Sequence, residues 1–323
     1  MLVKKNLKSR DKTIEKMSTQ YDICYSGGKN SIYNKRFGKY IIPYREKDII
    51  IRSIRNRFSN SKKNIKTLKV LDFGCGDGRT YPVFEYAVIH KIIPEKTKLE
   101  VLCYDISKTG LEIFKDNLLK NNYKLLNSKL PYKLKHKKYP ITFILIHRNK
   151  ESDWNAFAKI IGKVDITYCL LGVLAHIPLR KNRQKLLRTF CNITNYDIVV
   201  TTPPRQGRFK KTQTEYKKLR KQGKPYKLAA EDGDLYYKKT SNDGKKFYTY
   251  CHIYNPQELI DDFHTAKLKT PYGVEVLMVR HLSKISWSWF SAQLDRILSI
   301  IYSKFMPKSI LSKTNFILLV GRK

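Results

Sequence analysis

The sequence predicts an α/β protein built on a doubly wound, mostly parallel sheet. Two observations carry this prediction: apolar runs of strand length alternate with segments of helical periodicity, and the first run leads directly into a glycine-rich turn. Of the 323 residues 41% are hydrophobic, so the chain can bury a substantial core. No apolar run reaches the roughly 18 residues that a membrane span requires.

Seven strands are predicted, and the last one is expected to be antiparallel. They lie at 69–73, 99–107, 141–147, 164–173, 196–204, 273–282 and 315–323. Helical patterns occur at 43–58, 83–93, 111–122, 154–162 and 180–190. At 255–263 a further helix is indicated, with Asn255 as its N-cap and Pro256 at its first position.

The segments outside this alternation define the predicted domain organisation. Residues 1–42 are expected to be a mobile N-terminal lid segment, and residues 43–323 a single domain. That domain contains a basic insertion at 205–250, after the fifth strand, and a helical insertion at 284–310, before the last strand. The segment 123–139, which holds six lysines, is predicted to be a surface insertion.

The turn after the first strand carries glycines at alternate positions, Gly74, Gly76 and Gly78. A dinucleotide-binding fingerprint, G-x-G-x-x-G, would need its third glycine at the position of Arg79. The carboxylate of Asp72 would repel a pyrophosphate, whereas it suits a ligand with positive charge. S-adenosylmethionine carries an ammonium and a sulfonium group and has no phosphate, so the corner favours this ligand over NAD.

A second acid, Asp105, ends the second strand, where it can accept hydrogen bonds from both ribose hydroxyls of a nucleoside. Together, the stretch 69–80 (KVLDFGCGDGRT) and Asp105 resemble the VLDxGCGxG loop and the acidic end of strand two of class I S-adenosylmethionine-dependent methyltransferases. The resemblance covers about 43–204, and the last two strands fit the closing hairpin of that family.

This resemblance implies a Rossmann-like fold, S-adenosyl-L-methionine as the cofactor, and a set of cofactor-binding residues. Asp72 and the backbone of the three glycines would hold the methionine part, and Asp105 the ribose. Ile106 would pack on the adenine. Where the family often has an acid after strand three, this chain has Asn149, which is expected to accept a hydrogen bond from the adenine amino group.

The stretch 169–178 (CLLGVLAHIP) leaves the fourth strand, where this family places the methyl group and its acceptor. His176 is therefore the predicted catalytic residue, which would orient or deprotonate the acceptor. Alternatively, it caps the next helix or bonds a backbone carbonyl. The donor methyl group is already activated, so positioning supplies much of the catalysis, and no metal site is predicted.

Charge gives a prediction about partners. The 65 Lys and Arg residues outnumber the 27 Asp and Glu residues, for a net charge of +38. Such a field attracts a polyanion, with RNA the first candidate, although codon bias toward lysine would produce the same excess. The stretch 205–228 interleaves ten basic residues with aromatic rings. The predicted substrate-binding residues in this stretch are Arg205, Lys217, Lys218, Arg220 and Lys221.

The stretches 172–178, 233–239 and 248–259 are faintly similar to tRNA wobble-uridine carboxymethyl methyltransferases. The matching positions are His176, His252, Tyr254, Glu258 and Leu259. This similarity implies that His252 binds substrate. It also raises the hypothesis of a carboxylate acceptor, which needs no base because it is already a nucleophile.

Three functions remain open from sequence. The first is an RNA methyltransferase, the second a methyltransferase of a small molecule or protein side chain, and the third a non-catalytic partner subunit. The segment 285–305 is either a surface for a protein partner or second copy, or a helix packed over the sheet. Six scattered cysteines without a C-x-x-C pair, and an N-terminus without an apolar signal core, predict a cytoplasmic protein.

Overall fold

The computed structural model describes residues 17–26, 42–61, 64–147, 154–204, 214, 218, 221, 231–240, 244, 246–279, 289–305 and 314–323. The strands are β1 Thr67–Phe73, β2 Lys98–Asp105, β3 Tyr123–Asn127, β4 Tyr132–His136, β5 Ile141–His147, β6 Val164–Cys169, β7 Thr194–Thr202, β8 Asp234–Thr240, β9 Lys246–His252, β10 Val274–Val279 and β11 Thr314–Arg322. The helices are α1 17–25, α2 Ile42–Ser59, α3 Tyr81–Ile89, α4 Lys108–Lys120, α5 Trp154–Ile161, α6 Arg180–Ile193, α7 Pro256–Thr265 and α8 Trp289–Phe305, with a 3₁₀ turn at Leu174–His176.

The fold is α/β, with a mixed central sheet in the hydrogen-bonded order β10-β11-β7-β6-β1-β2-β5-β4-β3. Strands β1, β2, β5 and β6 pair in parallel, and β10 and β11 pair antiparallel. A separate antiparallel hairpin is formed by β8 and β9. No helix in the described part of the chain has an apolar stretch long enough to span a bilayer.

The predicted number of seven strands is wrong, because the central sheet has nine. The two additional strands, β3 and β4, come from the lysine-rich segment 123–139, which was expected to be a surface insertion. In β4 the buried residues Tyr132, Leu134 and His136 alternate with exposed lysines. This period of two is the usual mark of a strand with one solvated face, but here it extends over only five residues within a stretch of six lysines.

The chain forms two compact units. The first contains Met1–Lys35, Glu46–Tyr168 and Asn192–Asp197; the second contains Arg36–Arg45, Cys169–Cys191 and Ile198–Lys323. In the first unit, β1 is buried almost throughout its length, as expected for a central parallel strand. The register sets Phe73, the last residue of β1, beside Tyr104, so the turn after β1 lies next to Asp105.

In the second unit, the helix predicted at 255–263 is confirmed as α7. The Asn255 side chain accepts a hydrogen bond from the Gln257 amide, and Pro256 occupies the first helical position. The β8–β9 hairpin begins within the predicted insertion 205–250 and ends two residues beyond it, at His252, and α8 falls within 284–310. All six cysteines are buried free thiols.

Candidate functional site

The glycine corner, defined as residues Asp72–Thr80 together with Asp105, lies in the first unit. Gly74, Gly76 and Gly78 have φ values of 81°, 56° and 83°, which side chains rarely tolerate. A Cβ atom on Gly78 would lie 2.1 Å from the ring of Phe114, and one on Gly76 would lie 2.1 Å from the Tyr25 hydroxyl. Glycine is therefore required here both by backbone conformation and by close packing.

Asp72 is buried at the end of β1 and accepts a 2.5 Å hydrogen bond from the Thr80 hydroxyl. Burial raises its pKa to about 6, although the Thr80 hydrogen bond opposes that shift. Arg79 lowers this pKa less than burial raises it, because its guanidinium forms a bidentate pair with the Glu46 carboxylate, both hydrogen bonds being 2.9 Å long. The Asp72 carboxylate is thus desolvated without full compensation.

Asp105 is held by backbone amides on both of its carboxylate oxygens. Oδ2 accepts from the Gly76 amide and Oδ1 from the Ser107 amide, both at 2.7 Å. Burial again outweighs these hydrogen bonds and raises the pKa to about 6. The Ile106 amide contributes a third backbone hydrogen bond that lowers this pKa, so main-chain donors hold the carboxylate in place.

Helix α1 packs on this corner. The sequence predicted a lid segment at 1–42 but gave no indication of these contacts. The Ser18 hydroxyl donates to the Ile106 carbonyl at 2.5 Å. Asp22 accepts from the Ser107 hydroxyl at 2.6 Å and the Thr109 amide at 3.0 Å, so it anchors α1 to the start of α4. The contacts of 17–25 fit a cover over the corner, and the mobility of 1–42 stays a prediction.

Of the two remaining predicted cofactor-binding residues, the structure describes Ile106 but not Asn149. Ile106 is half-buried, and its carbonyl accepts a 3.2 Å hydrogen bond from His147 Nε2. Asn149 lies outside the described residues.

His176, the predicted catalytic residue, lies in the second unit on the 3₁₀ turn. Its Nδ1 is 2.6 Å from the carbonyl oxygen of Tyr250, and because a carbonyl can only accept, Nδ1 carries the proton. This contact matches the alternative expectation of a backbone-bonded histidine. It also fixes the ring orientation, so a role in orienting an acceptor stays a prediction.

His252 is at the centre of a buried charge cluster in the same unit. We name this the His252 cluster, comprising Arg183, Glu231, Asp234, His252 and Glu258. His252 is fully buried, with Nδ1 2.8 Å from Asp234 Oδ1 and Nε2 2.8 Å from Glu258 Oε1. Burial lowers its pKa, but the two carboxylates outweigh burial and raise it overall. The ring is therefore engaged within the protein on both sides, and direct substrate contact stays a prediction.

Arg183 supplies the second cation of the His252 cluster. Its fully buried guanidinium lies 2.9 Å from Glu231 and 3.7 Å from Glu258, and Nη1 is 3.3 Å from the Tyr250 hydroxyl. That hydroxyl donates to Asp234 at 2.5 Å. Hydrogen bonds to His252 help to hold the pKa values of Asp234 and Glu258 below their usual range, although burial opposes this.

Metal binding does not fit the cluster, although ligand-type atoms of Glu231, Asp234 and His252 lie within 4.8 Å of one another. His252 Nδ1 and the Tyr250 hydroxyl meet the same Asp234 oxygen, and the other oxygen accepts from the Glu231 amide. The polar atoms of Asp234 and His252 are therefore all engaged within the protein, whereas Arg183 Nε is buried without a hydrogen-bond partner among the described residues. Sequence reasoning missed Arg183, Glu231 and Asp234, for which no local pattern was available.

The structure describes two of the five substrate-binding residues that were predicted in the basic stretch 205–228. Lys218 and Lys221 are exposed and helical, whereas Arg205, Lys217 and Arg220 lie outside the described residues. On α8, Asp295 is buried and pairs with Arg45 at 3.0 Å, while Ile297, Ile300 and Ile301 are exposed. A partner or second copy at 285–305 stays a prediction.

No protein-family model matches this sequence, and no curated protein sequence matches it either. Solved structures similar to the chain include an S-adenosylmethionine-dependent methyltransferase from Clostridium acetobutylicum, at 14% identity and TM-score 0.46, covering 86% of this chain and 91% of that one. Another is magnesium protoporphyrin IX methyltransferase from Synechocystis PCC 6803, at 12% identity and TM-score 0.49, covering 97% and 99%. A third, from Methanosarcina mazei, has 12% identity and TM-score 0.48, covering 80% and 94%.

All three are methyltransferases. With TM-scores below 0.5 and identities of at most 14%, these likenesses carry no conclusion for this chain. What the chain does has to follow from its own residues.

Proposed function

We propose that this chain is an S-adenosylmethionine-dependent methyltransferase that acts on RNA. The supporting observation is the glycine corner, where two buried carboxylates, each with a pKa of about 6, flank three glycines with positive φ. Ionised carboxylates without full compensation favour a cationic ligand and repel a phosphate. The resemblance of 69–80 to the methyltransferase loop agrees with this chemistry.

The residues present fit this donor. The Asp105 carboxylate ends β2 beside the glycine turn, where it suits hydrogen bonds from ribose hydroxyls. Asp72 would stabilise the positive charge of the methionine part. When bound, the donor supplies a methyl group on a sulfonium, which is already activated for transfer. The protein's contribution is then to bind, to orient and to exclude water.

The proposal has three more specific parts. RNA is the methyl acceptor, His176 orients it, and the enzyme is cytoplasmic. Support comes from the net charge of +38 and from Lys218 and Lys221, which are exposed within the basic stretch 205–228. Methyl transfer from labelled donor to a fractionated cell extract tests it. Label released by ribonuclease supports the proposal, and label released only by protease, or held in small molecules, contradicts it.

Donor binding is tested by isothermal titration calorimetry on Asp105→Asn. The variant loses one of the two side-chain oxygens that accept from backbone amides, and the charge that would receive the hydroxyls, so affinity for S-adenosylmethionine should fall about 10- to 100-fold. Glu100→Gln is the matched control, because Glu100 lies on the same strand and its carboxylate is 3.5 Å from the Lys69 ammonium, away from the glycine corner. Unchanged affinity in Asp105→Asn, or binding of NAD at this corner, would refute the donor assignment.

A further inference from the structure

Strands β3 and β4 present a face of lysines at the edge of the first unit's sheet. Lys124, Lys133 and Lys135 are exposed, and the register sets Lys124 directly opposite Lys135. Lys133 lies two residues from Lys135 on the same face, at about 6.7 Å along the strand. We name these three residues the lysine face.

The opposite face of the same strands is a packed core. Tyr132, Leu134 and His136 are buried there, and the Tyr132 hydroxyl donates to Glu112 of α4 at 2.5 Å. The rings of Phe143 and Tyr123 also meet on that side, at 5.5 Å. Side chains alternate along a strand, so the lysines necessarily point away from this core.

Like charges directly opposite each other on one face destabilise a sheet. Elsewhere in the same sheet opposite charges face each other, since Lys69 on β1 lies opposite Glu100 on β2 and pairs with it at 3.5 Å. In the described part of the chain, no acid lies within salt-bridge distance of the lysine face. The sequence has no Asp or Glu at all from 117 to 150, whereas its average content would place about three there.

From this juxtaposition we propose that the lysine face binds the phosphate backbone of a nucleic acid. Lysine ammonium groups neutralise phosphates as point charges, and such contacts hold a strand without reading its sequence. Base stacking is not expected on this face, since the only aromatic residues of the two strands, Tyr123 and Tyr132, are buried. The surface is distinct from the basic stretch 205–228.

An anionic membrane would attract the same lysines, but stable attachment also needs apolar side chains beside them. On β3 and β4 the one strongly exposed apolar side chain is Leu126, at 50%. The phosphate backbone therefore fits the surface better. The inference deepens the proposed function and rests on its acceptor class, yet binding is measurable without any methyl donor.

The test measures binding of a fluorescein-labelled 20-nucleotide poly(U) RNA by anisotropy between 50 and 200 mM KCl. The triple variant Lys124→Gln, Lys133→Gln, Lys135→Gln should bind about 10- to 100-fold more weakly, with a salt slope lower by about 2, as expected from about 0.7 per contact on a single strand. The control, Lys96→Gln, Lys159→Gln, Lys181→Gln, removes the same charge from three exposed positions on separate elements and should lose less than about threefold.

Equal losses in the two variants would show that only net charge matters and would overturn the proposal, as would no loss in either. Binding to phosphatidylserine vesicles without binding to the RNA would also overturn it. If the RNA binds through the lysine face but receives no methyl group, the proposed function fails and this inference stands. Relief of the Lys124–Lys135 repulsion should leave the urea midpoint of the face variant unchanged or raised, which controls for misfolding.

Discussion

The glycine corner and the His252 cluster both remove carboxylates from water, but they compensate the charge differently. In the His252 cluster, an imidazolium and a buried guanidinium meet the acids, and the pKa values of Asp234 and Glu258 are lowered. In the glycine corner, burial dominates and raises the pKa values of Asp72 and Asp105 to about 6. The acids of the His252 cluster are paired with Arg183 and His252 inside the protein, whereas the uncompensated negative charge of the glycine corner favours a cation.

The largest expected effect comes from removing the central cation of the His252 cluster. Arg183→Met leaves the half-buried carboxylates of Glu231 and Glu258 beside an apolar side chain, so the free energy of unfolding should fall by about 3 kcal/mol in urea titrations. Arg188→Met is the control, because Arg188 is exposed on the same helix and should change stability by less than about 0.5 kcal/mol. If the two substitutions lowered the free energy of unfolding equally, Arg183 would not be the cation that compensates the acids of the His252 cluster.

A second pair of variants should shift stability in opposite directions. Asp72→Asn keeps an oxygen for the Thr80 hydroxyl but removes the uncompensated charge, so at pH 7 it should stabilise the ligand-free protein by about 1–3 kcal/mol. Asp234→Asn removes the charge that faces His252 and should destabilise it. Thermal unfolding of both proteins checks the signs.

The pH dependence of the Asp72 effect follows from linkage. A raised carboxyl pKa means that the native state binds more protons than the unfolded state between about pH 3.8 and 6, so the penalty grows as pH rises through that window. The gain from Asp72→Asn should therefore disappear near pH 4. The contribution of Asp234 has the opposite form, since its lowered pKa makes it present above pH 3.8 and lost on acidification through the folded-state value.

The same contrast explains what sequence could and could not predict. Local signals are enough for the glycine corner, where spacing excludes a dinucleotide site, and for the cap at Asn255. The His252 cluster is assembled from positions as distant as Arg183 and Glu258, which share no periodic pattern. Strands β3 and β4 were missed because each is only five residues long and the high lysine content of 123–139 indicates a surface segment. The raised pKa values depend on packing that only the folded chain provides.

The most direct test of the central claim is the affinity for S-adenosylmethionine from pH 5 to pH 8, measured by isothermal titration calorimetry. If the donor binds ionised Asp72 and Asp105 with pKa values of about 6, affinity should be constant above pH 7. Below pH 6 it should weaken roughly tenfold per pH unit for each carboxylate that must lose its proton. Affinity that stays constant down to pH 5, or no binding at any pH, would contradict the account.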